Sequence, residues 1–276
     1  MPTLTAFADE ISPDIHEQLA CLKRNGVSFV ELRGAFGANV LKFTAAQRSE
    51  IKTAFFRAGV KVACIASPIG KIRMDEPFEP HFAEFRHACD LADEFGCRHI
   101  RLFSYYAPRG GSIEPFREQV LERMLMKLDF AKLRGVILVH ENEKGIYGNR
   151  PERVAELARV LRSPNFTTAF DAANYVEEGC LPVYTTCYYP LRDEIGYIHL
   201  KDNSHAQGRC VPLGEGDGDW AAVFRDLVER KYNGFMAIEP HLKAAGAMAG
   251  FSGPDLFGTA VTAIRKMADA AGMSLA

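Results

Sequence analysis

The feature that most constrains the fold is an alternation of short apolar runs with helical patterns, which occurs eight times along 276 residues. The runs are rich in β-branched and aromatic residues, as in strands that are buried on both faces. They cover residues 3–7, 28–33, 61–67, 99–104, 136–141, 166–171, 197–199 and 235–239. Since a helix follows each strand, the pattern predicts parallel strands in an α/β fold.

Two architectures fit such an alternation, and the strand count favours one of them. A doubly wound sheet normally has five or six parallel strands and often a glycine-rich phosphate turn, yet the chain contains no G-x-G-x-x-G. A closed (β/α)8 TIM barrel needs eight strands and about 250 residues. We therefore predict a single-domain TIM barrel over residues 1–276, in which Asp219 caps the helix that begins at Trp220.

Charge, hydropathy and cysteine usage exclude several classes of protein. The formal net charge of −2 gives no basic footprint for nucleic acid. No apolar run approaches the roughly 20 residues needed to cross a bilayer, and the N-terminus lacks the pattern of a signal peptide. The seven cysteines form no C-x-x-C pair, which favours a reducing cytoplasm over a disulfide framework.

The last four strands each end in a side chain that can bind a metal or move a proton, namely Glu141, Asp171, His199 and Glu239. Parallel strands of a barrel present their C-terminal ends to the face where active sites lie. Carboxylates brought together there would repel one another unless a cation neutralised them. The sequence thus predicts one divalent metal per site, with Mn²⁺, Mg²⁺, Co²⁺ and Zn²⁺ as candidates.

Other polar residues on the strands are candidates for substrate binding. Lys201 shares the inward face with His199 and is placed to bind an oxyanion, although a lysine paired with Asp202 is the alternative. Glu31 and Arg101 are candidates for binding hydroxyl groups, and for both an internal ion pair is the alternative. His140 is expected to point the opposite way from Glu141, toward the helices, as a structural histidine.

Four motifs resemble the sugar phosphate isomerase/epimerase family of xylose-isomerase-like barrels. They lie at residues 170–174 (FDAAN), 197–202 (YIHLKD), 214–220 (GEGDGDW) and 238–240 (IEP). The family includes ketose 3-epimerases, inosose isomerases and dehydratases, and AP endonucleases. The resemblance spans nearly the whole chain, and its motifs specify the superfamily better than the substrate.

The resemblance to the ketose 3-epimerases implies roles for the strand-end residues. In those enzymes a glutamate, an aspartate, a histidine and a second glutamate hold one metal, and the matching positions are Glu141, Asp171, His199 and Glu239. The resemblance further implies that Glu141 and Glu239 act as acid and base on opposite faces of the substrate.

The chain departs from the epimerase pattern at two substrate-binding positions. Asn174 stands where the epimerases carry a histidine, so a contact of different character is expected there. His205 stands where they carry an arginine, unless Arg209 takes that role. These departures put specificity for ketohexoses in doubt.

The AP endonuclease branch resembles this chain less closely. That branch needs three zinc ions and several additional histidines, whereas this chain has Ser67 and Ser104 at the third and fourth strand ends and Asn174 where another zinc-binding histidine would stand. The loop after the seventh strand carries Asp217-Gly-Asp219 rather than an aspartate and a histidine two residues apart. DNA repair is therefore disfavoured.

The four strand-end residues are compatible with three functions. The first is a sugar isomerase or epimerase of carbohydrate metabolism, acting on a small sugar or keto-polyol through an enediolate. The second is a lyase or dehydratase of the inosose or dehydroshikimate type. The third is a non-catalytic sugar-binding barrel. The sequence does not specify the substrate, the native metal or the oligomeric state. A homo-oligomer is one of the states that it allows.

A phosphate group on the substrate is also left open. The loop over residues 241–254 carries Lys243, Gly246, Gly250 and Gly253 near the place where barrels often bind phosphate. A mobile lid is the alternative reading of such a loop.

Overall fold

The computed structural model describes residues 1–243 and 251–276, and eight parallel strands in it close into a barrel. In chain order they are β1 Thr3–Ala6, β2 Phe29–Leu32, β3 Lys61–Ala66, β4 His99–Leu102, β5 Ile137–Glu141, β6 Phe166–Asp171, β7 Ile195–Leu200 and β8 Phe235–Ile238. Closure comes from β8, which pairs in parallel with both β7 and β1. The predicted (β/α)8 TIM barrel is confirmed.

Helices follow the strands on the outside of the barrel. They are α1 Ile15–Arg24, α2 Ala45–Ala58, α3 Phe78–Phe95, α4 Arg117–Arg134, α5 Pro151–Val160, α6 Ala172–Glu177, α7 Trp220–Glu229 and α8 Gly253–Ala271. Their ends follow local rules: the Asp14 side chain caps α1, Thr44 forms a capping box on α2, and Gly59 ends α2 in the left-handed conformation. Among the residues described, no helix combines the length and hydropathy needed to span a membrane.

The segment between β6 and β7 is irregular. The short helix α6 follows β6 directly, because the Asp171 side chain accepts a hydrogen bond from a backbone N–H in its first turn. A π-helical turn, Tyr184–Tyr188, then continues into Tyr189–Leu191. Prolines 182 and 190 flank this turn and cannot donate backbone hydrogen bonds, which limits a regular helix there.

The loop after β7 contains a feature that hydrophobic periodicity does not predict. Asp202–Ser204 pairs with Arg209–Val211 as an antiparallel hairpin above the barrel. The predicted cap on α7 is wrong: Asp219 stands at the capping position, but its side chain makes no capping bond. Instead Asp219 Oδ2 accepts a hydrogen bond from the backbone N–H of Tyr184 at 2.9 Å, which ties two top-face segments together.

The barrel interior below the strand ends is filled by side chains. Phe7 is completely buried there and belongs to one packed cluster with Cys64, Ala66, Val139, Ala169, Tyr197 and Ala237. Below them the Tyr197 hydroxyl is hydrogen-bonded to the buried carboxylate of Glu31. The barrel is thus a packed core and not a pore, with a buried polar pair, Glu31 and Tyr197, below the strand ends.

Candidate active site

The structure brings the four strand-end residues into one cluster. Glu141, Asp171, His199 and Glu239 are at most 3% exposed, and one ligand-type atom from each lies within 4.8 Å of the others. Strand register explains this convergence, since Asp171 is paired with His199, and His199 with Ala237, two residues before Glu239. The cluster lies at the C-terminal ends of neighbouring parallel strands, as predicted.

The two glutamates contact the histidine from different strands. His199 Nδ1 lies 3.1 Å from Glu141 Oε1 and 3.4 Å from Glu239 Oε2. Burial favours neutral imidazole, but the two carboxylates outweigh it and raise the pKa of His199 to about 10. Burial also disfavours the charged form of Glu141, yet His199 and Arg101 together lower its pKa to about 2. The two glutamates and His199 thus hold one another in their charged forms.

Asp171 is the carboxylate with the least compensation. Burial, together with the charges of Glu141 and Glu239, raises the pKa of Asp171 to about 7, although Lys201 opposes this shift. Lys201 Nζ lies 2.7 Å from Asp171 Oδ2 and 3.8 Å from Glu239 Oε2. The ammonium group thus stands at the edge of the cluster, where it faces two of the candidate ligands.

The donor atoms of the cluster fit a single divalent cation. Among the described residues, this cluster contributes four buried atoms that lack a hydrogen bond of acceptable geometry: Glu141 Oε2, Asp171 Oδ2, His199 Nδ1 and Glu239 Oε2. Buried polar atoms are rarely left without partners, because each carries a desolvation cost. Three carboxylate oxygens and one imidazole nitrogen are suitable ligands for Mn²⁺, Mg²⁺ or Zn²⁺.

Three of the predicted substrate-binding residues border this cluster. Lys201 lies beside Asp171, as described above. Asn174 donates through Nδ2 to the Asn142 carbonyl at 2.8 Å and lies 3.4 Å from Glu141 Oε1. Arg101 Nη1 lies 3.2 Å from Glu141 Oε2, which is the internal ion pair considered as its alternative. Substrate contacts by these residues remain predictions.

The other two predicted substrate-binding residues lie apart from the cluster. Glu31 is 2% exposed and sits deeper in the barrel, where it is hydrogen-bonded to Tyr197. His205 is exposed in the turn of the hairpin, and its backbone N–H donates to Asp217 Oδ2 at 2.7 Å. The contact between Glu31 and Tyr197 is consistent with the alternative in which Glu31 fills the barrel interior.

His140 faces outward from the barrel, as strand alternation predicts. It is completely buried, and its Nε2 lies 2.9 Å from Ser104 Oγ. Ser104 Oγ in turn accepts a hydrogen bond from the Gly148 N–H at 2.7 Å. Burial lowers the pKa of His140 to about 4, which keeps the ring neutral as a structural link between strand ends.

A second group of polar residues was missed by the sequence analysis. Asp9 and Glu10 follow β1, Arg33 follows β2 and His241 follows β8. Arg33 lies 2.7 Å from both Asp9 and Glu239, and His241 Nε2 lies 3.1 Å from Glu10 Oε1. The signal was available, because these residues occupy strand ends in the same way as the predicted ligands.

The loop considered for phosphate binding is only partly within the described residues. Gly246 and Gly250 lie outside them. Lys243 is exposed and pairs with Phe251 through backbone atoms, and Gly253 begins α8.

Comparison with known proteins gives a family that covers most of the chain. The family model for the xylose isomerase-like TIM barrel matches residues 19–271. SgbU of Escherichia coli (strain K12), named as a candidate L-ribulose-5-phosphate 3-epimerase, is 28% identical, and the match covers 81% of this chain and 82% of SgbU.

Two solved structures have the same fold at low sequence identity. A xylose isomerase-like TIM barrel protein from Mycobacterium smegmatis, in complex with magnesium, has a TM-score of 0.75 at 16% identity, covering 98% of this chain and 97% of that one. The probable 3-DHS dehydratase AsbF from Bacillus anthracis has a TM-score of 0.73 at 17% identity, covering 96% and 99%. At such identity the likeness shows the shared fold alone.

Proposed function

Because this chain belongs to the xylose isomerase-like TIM barrel family, we propose that it is a divalent-metal-dependent sugar isomerase or epimerase. Its substrate class is a ketose or keto-polyol with a hydroxyl group beside the carbonyl. The observation that carries the proposal is the buried cluster in which two glutamates, an aspartate and a histidine each place one ligand-type atom within 4.8 Å of the others, and in which four such atoms lack a hydrogen bond of acceptable geometry. The candidate epimerase SgbU supports it as a relative.

The metal would be held by Glu141, Asp171, His199 and Glu239. A bound divalent cation supplies Lewis-acid polarisation of a carbonyl and a template for two neighbouring oxygens. The protein contributes the burial of these four side chains, which excludes water and strengthens their electrostatic interactions.

Proton transfer is assigned to the two glutamates. In one direction Glu141 accepts the proton from the carbon beside the carbonyl, and Glu239 donates a proton to the opposite face of the enediolate. In the reverse direction their roles exchange. Delivery of a proton by the opposite glutamate to the other face of the same carbon gives an epimer, and delivery of a proton to the neighbouring carbon gives an aldose–ketose isomer.

Lys201 and Asn174 are proposed to bind the substrate. The Lys201 ammonium is placed beside Asp171 and Glu239, where it can compensate negative charge that develops on a substrate oxygen. The Asn174 amide, near Glu141 Oε1, can donate to a hydroxyl group next to the carbon that loses its proton.

Solvent isotope exchange tests the proposal. The Mn²⁺-loaded protein is incubated in D₂O with a panel of ketoses that includes L-ribulose and L-ribulose 5-phosphate, and NMR follows the α-hydrogen. Deuterium in a recovered epimer or isomer is the expected result. An unsaturated or deoxy product would instead indicate a dehydratase, and binding without exchange across the panel would indicate a non-catalytic barrel.

A further inference from the structure

Arg33 has an unusual position between three carboxylates. Its Nε lies 2.7 Å from Asp9 Oδ2, its Nη1 lies 2.7 Å from Glu239 Oε1, and its Nη2 lies 3.7 Å from Glu10 Oε1. The side chain is 11% exposed, so these contacts form largely away from water. The rigid guanidinium plane thus fixes one oxygen of Glu239, while the other oxygen faces His199.

Arg101 has the corresponding relation to the other glutamate. Its Nη1 lies 3.2 Å from Glu141 Oε2, and its side chain is 7% exposed. Its Nη2 donates to the Ala66 carbonyl at 3.2 Å, which ties the guanidinium to strand β3. Each of the two proposed acid–base residues therefore forms an ion pair with an arginine of its own.

A single aromatic ring supports both arginines. The guanidinium carbons of Arg33 and Arg101 lie 4.6 and 5.1 Å from the centroid of the Phe7 ring. The His199 ring packs edge-on against the same ring, with centroids 5.2 Å apart. Cation–π contacts of this kind are strongest when they are desolvated, and Phe7 is completely buried.

We propose that Arg33 and Arg101 are positioning residues, one for each acid–base glutamate, and that Phe7 is their common platform. The inference rests on the proposed function, in which Glu239 and Glu141 serve opposite faces of the substrate. Its consequence is that the two halves of the reaction are separable. Loss of Arg33 disturbs proton transfer on the Glu239 face, and loss of Arg101 disturbs the Glu141 face.

The contacts of Arg33 also account for a second group of ligand-type side chains. Glu10, Glu239 and His241 each offer one atom within 4.8 Å of the others. The Arg33 guanidinium already supplies positive charge to Glu10 and Glu239. We therefore interpret these three side chains as the surroundings of Arg33 and assign no second ion to them.

Hydrogen exchange from each member of an epimeric pair tests the inference. Mn²⁺-loaded wild type, Arg33→Met and Arg101→Met are incubated in D₂O with L-ribulose 5-phosphate or its C3 epimer, and NMR follows the C3 hydrogen. The proton that leaves C3 passes to one glutamate, and the other glutamate delivers a proton to the opposite face. Each variant should exchange one epimer at least about 100-fold more slowly and retain exchange of the other, in opposite patterns.

Arg192→Met is the matched control. Arg192 also forms an ion pair with a carboxylate, Asp226, at 3.4 Å and packs over an aromatic ring, that of Tyr189. It lies on the outside of the barrel, so its loss should leave exchange of both epimers unchanged. Equal slowing of both epimers by Arg33→Met, or no slowing, would overturn the positioning role.

A crystal structure of Arg33→Met tests the positioning without turnover. We expect the Glu239 carboxylate to rotate away from the orientation that Arg33 fixes. An unchanged orientation of this carboxylate would contradict the positioning role. If the wild-type protein exchanges neither epimer, the proposed function fails for this substrate pair. The structure of the variant then still decides whether Arg33 positions Glu239.

Discussion

Glu141 and Glu239 have the same chemistry but different surroundings. Glu141 is contacted by Arg101, His199 and Asn174, whereas Glu239 is contacted by Arg33, Lys201 and His241 as well as by His199. Burial would raise the pKa of Glu239, but Lys201 and the neighbouring histidines hold it well below its usual value. Both carboxylates are thus held in the ionised form that a ligand or a proton acceptor needs, and the glutamate that acts as the acid must first take up a proton.

Neutral substitutions test their role in proton transfer. Glu141→Gln and Glu239→Gln preserve side-chain volume but remove the group that accepts a proton. Each should lower kcat by at least about 100-fold, the usual lower limit for loss of a general acid or base. Steady-state kinetics on a ketose accepted by the wild type gives the measurement, with circular dichroism to verify folding.

Glu215→Gln serves as the control at the same face of the barrel. Glu215 is exposed in the loop after β7 and belongs to neither cluster. Its variant should retain wild-type kcat. Activity near wild type in Glu141→Gln or Glu239→Gln would remove the acid–base assignment from that residue.

At the scale of elements, the loop before α7 is organised by one buried carboxylate. Asp202 accepts backbone hydrogen bonds from Gly214, Gly216 and Gly218 at 2.8, 3.1 and 3.0 Å. Trp220 Nε1 donates to the carbonyl of Lys201 at 3.2 Å. The glycine-rich motif therefore wraps a carboxylate and holds the backbone that carries Lys201.

A methyl group at Gly216 should disrupt this loop. A Cβ there would lie 2.4 Å from Asp202 Oδ1 and 2.5 Å from the carbonyl of Asn203, so the backbone must shift. We expect Gly216→Ala to lower the free energy of unfolding by about 1–3 kcal/mol, as overpacking usually does. Urea denaturation gives the measurement.

Gly258→Ala is the matched control for this substitution. A Cβ at Gly258 on α8 meets its nearest neighbour only at 3.8 Å. Alanine also has the higher helix propensity, so this variant should be neutral or more stable. Equal stability of Gly216→Ala and wild type would contradict the packing described for the loop.

The loop between β3 and α3 depends on a neutral histidine. His81 Nε2 accepts a hydrogen bond from the Gly70 N–H at 2.7 Å, and the side chain is 5% exposed. Burial, with the nearby charge of Lys127, lowers the pKa of His81 to about 4, although Glu84 opposes the shift. Protonation would remove the acceptor that holds the loop.

Acid should therefore destabilise the protein through His81. Its folded pKa is below the value of about 6.5 in an unfolded chain, so the unfolded state binds the proton first as the pH falls. The contribution of neutral His81 to the free energy of unfolding is complete above pH 6.5. It is lost progressively toward pH 4, by up to about 3 kcal/mol. Urea denaturation across this range should show a smaller loss for His81→Gln than for wild type, while exposed His205→Gln should match wild type.

At the scale of the whole molecule, the sequence predicted the barrel because its signals are local. Strand composition, helical periodicity and turn residues such as Gly59 each act over a few positions. Once a closed barrel of parallel strands is predicted, the C-terminal ends of all its strands lie on one face. The ends of β5 to β8 could therefore be placed together without coordinates. This is why the cluster around His199 was predictable.

The features that the sequence analysis did not predict depend on contacts between distant parts of the chain. Arg33 and Glu239 meet because closure of the barrel brings β1, β2 and β8 together, and the strand-end argument was applied only to the last four strands. The prediction that Asp219 caps α7 was wrong for a similar reason, because its side chain forms a tertiary hydrogen bond with the backbone N–H of Tyr184 and not a local capping bond. Likewise, the packing of Glu31 against Tyr197 required a view into the barrel.

Metal binding should stabilise the entire fold. Ligands from four strands contribute to one site, so a cation that binds only the folded state adds to the free energy of unfolding. Free Mn²⁺ at about 100 times its Kd should add about 2.7 kcal/mol, which thermal denaturation with Mn²⁺ or with EDTA can detect. Asp171→Asn should lose most of this gain, whereas Asp129→Asn, on the exposed surface of α4, should retain it.

The most direct test of the shared cation is a crystal structure of the Mn²⁺-soaked protein with data collected at the manganese absorption edge. We predict one anomalous peak per chain, at about 2.0–2.6 Å from one side-chain atom each of Glu141, Asp171, His199 and Glu239. A peak elsewhere, or no peak at an Mn²⁺ concentration that stabilises the protein, would contradict the account.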